Sequence, residues 1–142
     1  MTSRKEILGS SILLVDDESD VLSTIEMGLR LNEFNVTSYA DPTLALSDFK
    51  AGLFDLAILD VRMPKLTGFE LYHKLREKEP GIKACFLTAF EAFEEFKRQL
   101  PKMDDKHFLQ KPISIKDLVN RVNIILGNND SATTTANGTL TS

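Results

Sequence analysis

Residues 11–18 read Ser-Ile-Leu-Leu-Val-Asp-Asp-Glu, an apolar run that ends abruptly on three acids. The run is too short for a helix and has no polar alternation, so it predicts a strand buried on both faces. The same pattern recurs downstream. Leu56-Ala57-Ile58-Leu59 stops at Asp60, Ala84-Cys85-Phe86-Leu87 stops at Thr88, and the shorter stretch from His107 to Gln110 stops at Lys111-Pro112. Val36 to Tyr39 is a further strand-like segment.

Between these runs the apolar residues return at helical spacing. Val21, Leu22, Ile25 and Leu29 predict a helix ending near Asn32. Asp41-Pro42 supplies an N-cap and a first-turn proline for a second helix, with Leu44, Ala45 and Phe49 on one face and Gly52 closing it. A loop carrying Pro64 and Gly68 leads into a third, with Phe69, Tyr72, Leu75 and Arg76 in register. An acidic stretch from Glu91 to Leu100, ended by Pro101, predicts a fourth, whose Phe93, Phe96 and Leu100 form a core-facing stripe. Ser114 with Asp117 three residues on reads as a capping box for the last helix, which bears Leu118, Val119, Val122, Ile125 and Leu126 and stops at Gly127. Strand and helix thus alternate five times with short connections. The economical architecture is α/β, a parallel sheet covered by helices on both faces.

Composition limits what such a domain can do. The chain has 142 residues, 42% hydrophobic and 27% charged, which fits one soluble globular domain. Its formal charge of −4 gives no diffuse positive field for nucleic acid or anionic lipid. No apolar run approaches the roughly 18 residues of a membrane span, and the opening Met-Thr-Ser-Arg-Lys-Glu does not lead into a signal peptide. The single Cys85 and two histidines make neither an internal disulfide nor a structural zinc site, so the expected setting is cytoplasmic and Cys85 a small buried hydrophobe. His73 and His107 are expected on the surface. Residues 1–9 read as a polar lead-in to a domain spanning 1–127, and 128–142, rich in Asn, Thr and Ser, as a disordered polar tail.

Ligands of open parallel sheets sit beyond the carboxyl ends of the strands. Asp16, Asp17, Asp60, Thr88 and Lys111 all stand at such ends, which brings them to one crevice. Like charges about 4 Å apart repel by about 4 kcal/mol at an effective dielectric near 20. Three carboxylates must therefore take up protons or bind a cation, and a small all-oxygen site suits Mg²⁺ better than Ca²⁺. An aspartate can attack phosphorus to give an acyl phosphate. Lys111 would offer a compact positive charge to the transferring group and Thr88 a hydroxyl. The residues point to magnesium-dependent phosphoryl acceptance without saying which acid is attacked.

Those residues, as Val15-Asp16-Asp17-Glu18, Asp60-Val61-Arg62-Met63-Pro64 with Gly68, Leu87-Thr88-Ala89 and Lys111-Pro112, resemble the receiver domain of two-component response regulators over roughly residues 10–127. The resemblance implies a flavodoxin-like, doubly wound five-stranded sheet of order 2-1-3-4-5, with two helices on one face and three on the other. It implies Asp60 as phosphoacceptor, Asp17 as direct Mg²⁺ ligand, Asp16 holding the metal through water, and the Arg62 backbone carbonyl as a further ligand. Thr88 and Lys111 would bind phosphoryl oxygens, the Lys111-Pro112 bond would be cis, and Phe108 would turn inward as Thr88 moves toward the phosphoryl group. The implied partners are a sensor histidine kinase or phosphotransfer protein and a downstream protein, with no nucleic acid or membrane and with homodimerisation left open.

Two positions depart from the acid or amide that would assist an attacking water: Arg62, two residues after Asp60, and Phe90, two after Thr88. Both are bulky, and a slow loss of the phosphoryl group is the expectation. The segment Pro101-Lys102-Met103-Asp104-Asp105-Lys106-His107 lacks the Gly-Ala pair frequent in the family. The expected role is a signalling module that catalyses only its own phosphorylation and dephosphorylation. A phosphorelay intermediate and a phosphate-independent binding module are the near alternatives. A magnesium-dependent aspartyl phosphatase would need Asp-x-Asp after one strand, and the first strand ends in adjacent Asp16-Asp17.

Overall fold

The computed structural model describes residues 9–89 and 93–128, apart from the Phe96 side chain. Phe90, Glu91 and the expected tail beyond Asn128 lie outside the described residues. Five parallel strands, β1 (Ser11–Val15), β2 (Asn35–Tyr39), β3 (Leu56–Asp60), β4 (Ala84–Thr88) and β5 (Phe108–Gln110), form one sheet of order β2-β1-β3-β4-β5. The helices are α1 (Ser19–Leu31), α2 (Pro42–Asp48), α3 (Gly68–Lys78), α4 (Phe93–Gln99) and α5 (Ile115–Leu126). This is the doubly wound α/β sheet expected from the sequence.

Every residue of β1, β3 and β4 is buried, which is why these strands lack alternation. Successive side chains point to opposite faces and feed two separate cores. Leu13, Val15, Ala57, Leu59 and Phe86 pack with residues of α2, α3 and α4. Ile12, Leu14, Ile58, Cys85 and Leu87 pack with Ile25 and Leu29 of α1 and Leu118 and Val122 of α5. Three helices therefore cover one face and two the other. In-register pairing of Val15 with Leu59 and of Asp60 with Leu87 brings the strand ends level, so the residues that follow share one rim.

Local chemistry fixes the helix starts. The Asp41 side chain accepts from the Thr43 backbone N–H, with Pro42 in the first turn of α2. Ser114 accepts from the Asp117 N–H at the start of α5, and Gly127 ends that helix in the left-handed region at φ 75°. The fully reciprocal capping box is at α3, between Thr67 and Glu70.

Three boundaries differ from the sequence expectation. Helix α2 stops at Asp48 rather than running to Gly52, because Phe49 turns extended and is buried beside Phe54, ring centroids 6.1 Å apart. Tertiary burial of one large ring outweighs the two or three extra helical residues. Helix α4, described from Phe93, ends at Gln99 rather than at Leu100, which is buried just beyond it. His107 belongs to a 3₁₀ turn (Asp105–His107) rather than to β5, and its half-buried Nδ1 lies 2.8 Å from the Ala84 carbonyl oxygen. His73 is exposed and Cys85 fully buried, with burial pushing the thiol up to about 12.

Candidate functional site

The strand ladder continues one step past each strand end and so fixes the backbone of the rim. The Asp16 N–H donates to the Tyr39 carbonyl, Val61 N–H to Leu87, and Lys111 N–H to Thr88 at 2.8 Å. Side chains at these positions are held by the sheet rather than by mobile loops. Behind β3 the chain folds back tightly: the Gly68 N–H donates to the Val61 carbonyl at 2.9 Å, and a Cβ on Gly68 would run into the Asp60 carbonyl oxygen. Only a glycine lets the first turn of α3 approach the backbone of Asp60 so closely.

The rim gathers acids. Asp16 and Asp60 are buried, Asp17 is half-buried, and one carboxylate oxygen from each lies within 4.8 Å of the others. Lys111 reaches into this cluster from beyond β5. Its Nζ stands 3.2 Å from Asp16 Oδ2, 3.3 Å from Asp60 Oδ1 and 3.3 Å from Glu18 Oε1. The other Asp16 oxygen, Oδ1, accepts the Glu18 backbone N–H at 3.0 Å. One ammonium faces several carboxylates, and the imbalance falls on Asp60. Burial first, then the charge of Asp16, pushes its carboxyl up to about 7, although Lys111 pulls the other way. Burial would lower the Lys111 ammonium, but the charges of Asp60 and Asp16 outweigh it and hold the pKa above the ordinary lysine value.

Thr88 is buried at the end of β4, and its hydroxyl donates to the Ala89 carbonyl at 2.9 Å. Phe108 is buried, stacked on Phe86 with centroids 5.6 Å apart and meeting Phe93 edge-on at 6.1 Å. The Arg62 side chain is exposed, and the Lys111–Pro112 peptide is cis. Phe90 falls outside the described residues. The structure thus brings Asp16, Asp17, Asp60 and Lys111 together, with Thr88 at the end of the adjoining strand β4. Glu18, a partner of Lys111, had no role in the sequence reading, although it closes the Asp16-Asp17-Glu18 run. The close approach at Gly68 was equally unread.

An all-oxygen cluster with excess negative charge is a donor set suited to a hard divalent cation such as Mg²⁺. The Lys111 ammonium supplies positive charge at the same point. The arrangement can hold a cation and present Asp60 to an electrophile.

Comparison with known proteins agrees with this geometry. Residues 12–123 match the family described as response regulator receiver domain. The transcriptional regulatory protein PrrA of Mycobacterium tuberculosis is 34% identical over 130 residues, covering 92% of this chain and 55% of PrrA. The response regulator receiver protein CpdR of Brucella abortus is 30% identical over 118 residues, covering 81% of this chain and 95% of CpdR. Among solved structures, the receiver domain of the Francisella response regulator 1452 superposes with a TM-score of 0.73 at 28% identity, covering 84% of this chain and 98% of that one. The chain spans about half the length of the first curated relatives it matches, 49% and 55% of two of them. The fold, the acidic rim and the family match agree, and the chain belongs to the response regulator receiver family.

Proposed function

We propose that this receiver accepts a phosphoryl group on Asp60 from a phosphohistidine of a sensor histidine kinase or phosphotransfer protein, and signals through contacts with a further protein in the cytoplasm. The observation that carries the reading is the cluster at the ends of β1 and β3, three carboxylates within 4.8 Å of one another, two of which, Asp16 and Asp60, are bridged by Lys111. Asp16, Asp17, Asp60 and the Arg62 backbone carbonyl would hold Mg²⁺. When bound, the ion neutralises charge between the carboxylates and a phosphoryl oxygen.

The residues of the chain do the rest. A carboxylate oxygen of Asp60 forms the new O–P bond as the P–N bond to the donor imidazole breaks, and the electron pair leaves with the imidazole. Lys111, already 3.3 Å from Asp60, follows the charge onto a phosphoryl oxygen. The Thr88 hydroxyl exchanges the Ala89 carbonyl for a second phosphoryl oxygen. Phe108, stacked on Phe86, is the ring whose packing responds to that movement. Arg62 and Phe90 would lengthen the life of the acyl phosphate by pairing with the phosphoryl group and shielding it. A wild type that loses its phosphoryl group within seconds, or a Phe90→Glu variant that loses it no faster, would overturn that last role.

The primary test is incubation with acetyl phosphate, with and without Mg²⁺, followed by intact mass for wild type and Asp60→Asn. A metal-dependent, hydroxylamine-sensitive phosphoryl adduct absent from the variant is expected. No adduct on folded, metal-competent protein would leave a phosphate-independent binding module instead. No helix among the described residues is long and apolar enough to cross a membrane, and the net charge of −4 disfavours direct nucleic-acid binding.

A further inference from the structure

The end of the sheet opposite the carboxylates carries a groove that phosphoryl chemistry does not use. It opens between the last turns of α3 and the segment leaving α4, with a volume of about 380 Å³. The floor is apolar: Tyr72, Ile82 and Leu100 are buried, and Met103 is half-buried beside them. The rim is cationic, formed by the exposed Arg76 and Lys102. The Arg76 guanidinium lies 5.5 Å over the Tyr72 ring centroid, which holds it across the mouth.

Neither cation has a carboxylate within ion-pair distance among the described residues. No acid is among the residues that line the groove, and two acids of the flanking segments have other partners: Glu79 accepts the Gly52 backbone N–H, and Asp105 pairs with Lys97. In a chain of net charge −4, two cations outside any ion pair among the described residues, above a buried apolar floor, form a local site for negative charge. Two cations are too few to track a nucleic-acid backbone, and the floor asks for an apolar group. A polypeptide supplies both.

We propose that this groove docks an acidic segment of a partner protein carrying one bulky apolar side chain. The apolar side chain enters against Tyr72, Ile82 and Leu100, where full burial of a large side chain is the main attraction. Carboxylates on either side meet Arg76, whose planar fork can take one bidentately, and Lys102. Pro101, Lys102 and Met103, which line one side of the groove, begin the segment 101–107 that lacks the Gly-Ala pair frequent in the family, and the groove's use does not depend on phosphorylation of Asp60.

The test is an amide NMR titration of the full chain with the synthetic peptide acetyl-Glu-Asp-Glu-Phe-Glu-Asp-Glu-amide. Saturable shifts are expected at Tyr72, Ile82, Leu100 and Met103. Binding should weaken by about tenfold when the peptide Phe is replaced by Ala, and by a similar factor in an Arg76→Gln, Lys102→Gln double variant, and should fall as salt rises. The thermal midpoint of that variant checks its fold, and the Ala peptide leaves the protein untouched. The proposal is overturned if no saturable shift reaches the groove by about 1 mM peptide, if shifts map elsewhere, or if a Lys-for-acid peptide or the double variant binds equally well.

Discussion

The two faces of the sheet differ in how many rings they bury. On the face of α1 and α5, the sheet's Ile12, Leu14, Ile58 and Leu87 meet Leu118 and Val122 of α5, all aliphatic, with Phe34 the one aromatic in that buried cluster. Packing there is close enough that a Cβ on Gly28 would stand 2.6 Å from the Ile115 side chain. On the face of α2, α3 and α4, aliphatic residues such as Leu13, Leu59 and Leu71 share the core with a connected series of rings. Phe69 and Tyr72 each meet Phe86 at 5.3 Å, Phe86 stacks on Phe108, and Phe108 meets Phe93. Interlocked branched side chains resist displacement. In a series of rings in offset and edge contact the attraction depends on mutual orientation, so a turn of one ring is felt by the next. Under the proposed function the aliphatic face would be the platform for Asp16 and Asp60, and the ring-bearing face the half that would answer a change at Thr88.

The largest effect separates the faces by stability. Leu14→Ala, on the platform, should cost about 2–5 kcal/mol in urea denaturation while the fraction that remains folded still takes phosphate from acetyl phosphate. A loss under about 1 kcal/mol would mean that face is not the closely packed one.

A smaller effect comes from the rim. Asp60 has its folded pKa raised from 3.8 to about 7, so between those values the native state binds more protons than the unfolded chain. Stability in Mg²⁺-free buffer should therefore fall as pH rises through that window, and be greater below it than above. Asp60→Asn should flatten this slope and stabilise the metal-free protein at neutral pH, and Mg²⁺ should flatten the slope for wild type. Denaturation midpoints across pH check all three, and a wild-type slope of the opposite sign contradicts the burial of an uncompensated charge.

The smallest effect sharpens the contrast. Phe108→Leu keeps most of the buried volume and removes the stack, so about 1 kcal/mol of stability should go. Phosphoryl uptake on Asp60 should persist, while the change in near-ultraviolet circular dichroism that accompanies it should shrink. An unaltered spectroscopic response in the variant would place the responding group elsewhere.

How much of this was legible depends on range along the chain. Strands β1, β3 and β4 were readable because double-sided burial writes itself as an unbroken apolar run, and an acid or Thr88 marks where the sheet ends. The convergence of Asp16, Asp60 and Lys111 followed from parallel topology alone. The end of α2 was not readable, since Phe49 leaves the helix for a contact with Phe54 and the surrounding core that no local pattern announces. Glu18 joins Lys111 across 93 positions of sequence, and its run gave no sign of that pairing. The Thr67–Glu70 capping box has the spacing that marks a helix start, and the sequence reading, which places a loop with Pro64 and Gly68 there, does not use it. The cationic groove is a product of two distant segments meeting, and composition could not reveal it.

The most direct measurement is a pair of NMR spectra, methyl and aromatic, recorded before and after acetyl phosphate with Mg²⁺. Shifts concentrated at Phe86, Phe93 and Phe108, with the methyl groups of Leu14, Leu118 and Val122 unmoved, are the predicted result. Equal shifts on both faces, or full phosphorylation with the aromatic rings unmoved, would contradict the division between platform and responding half.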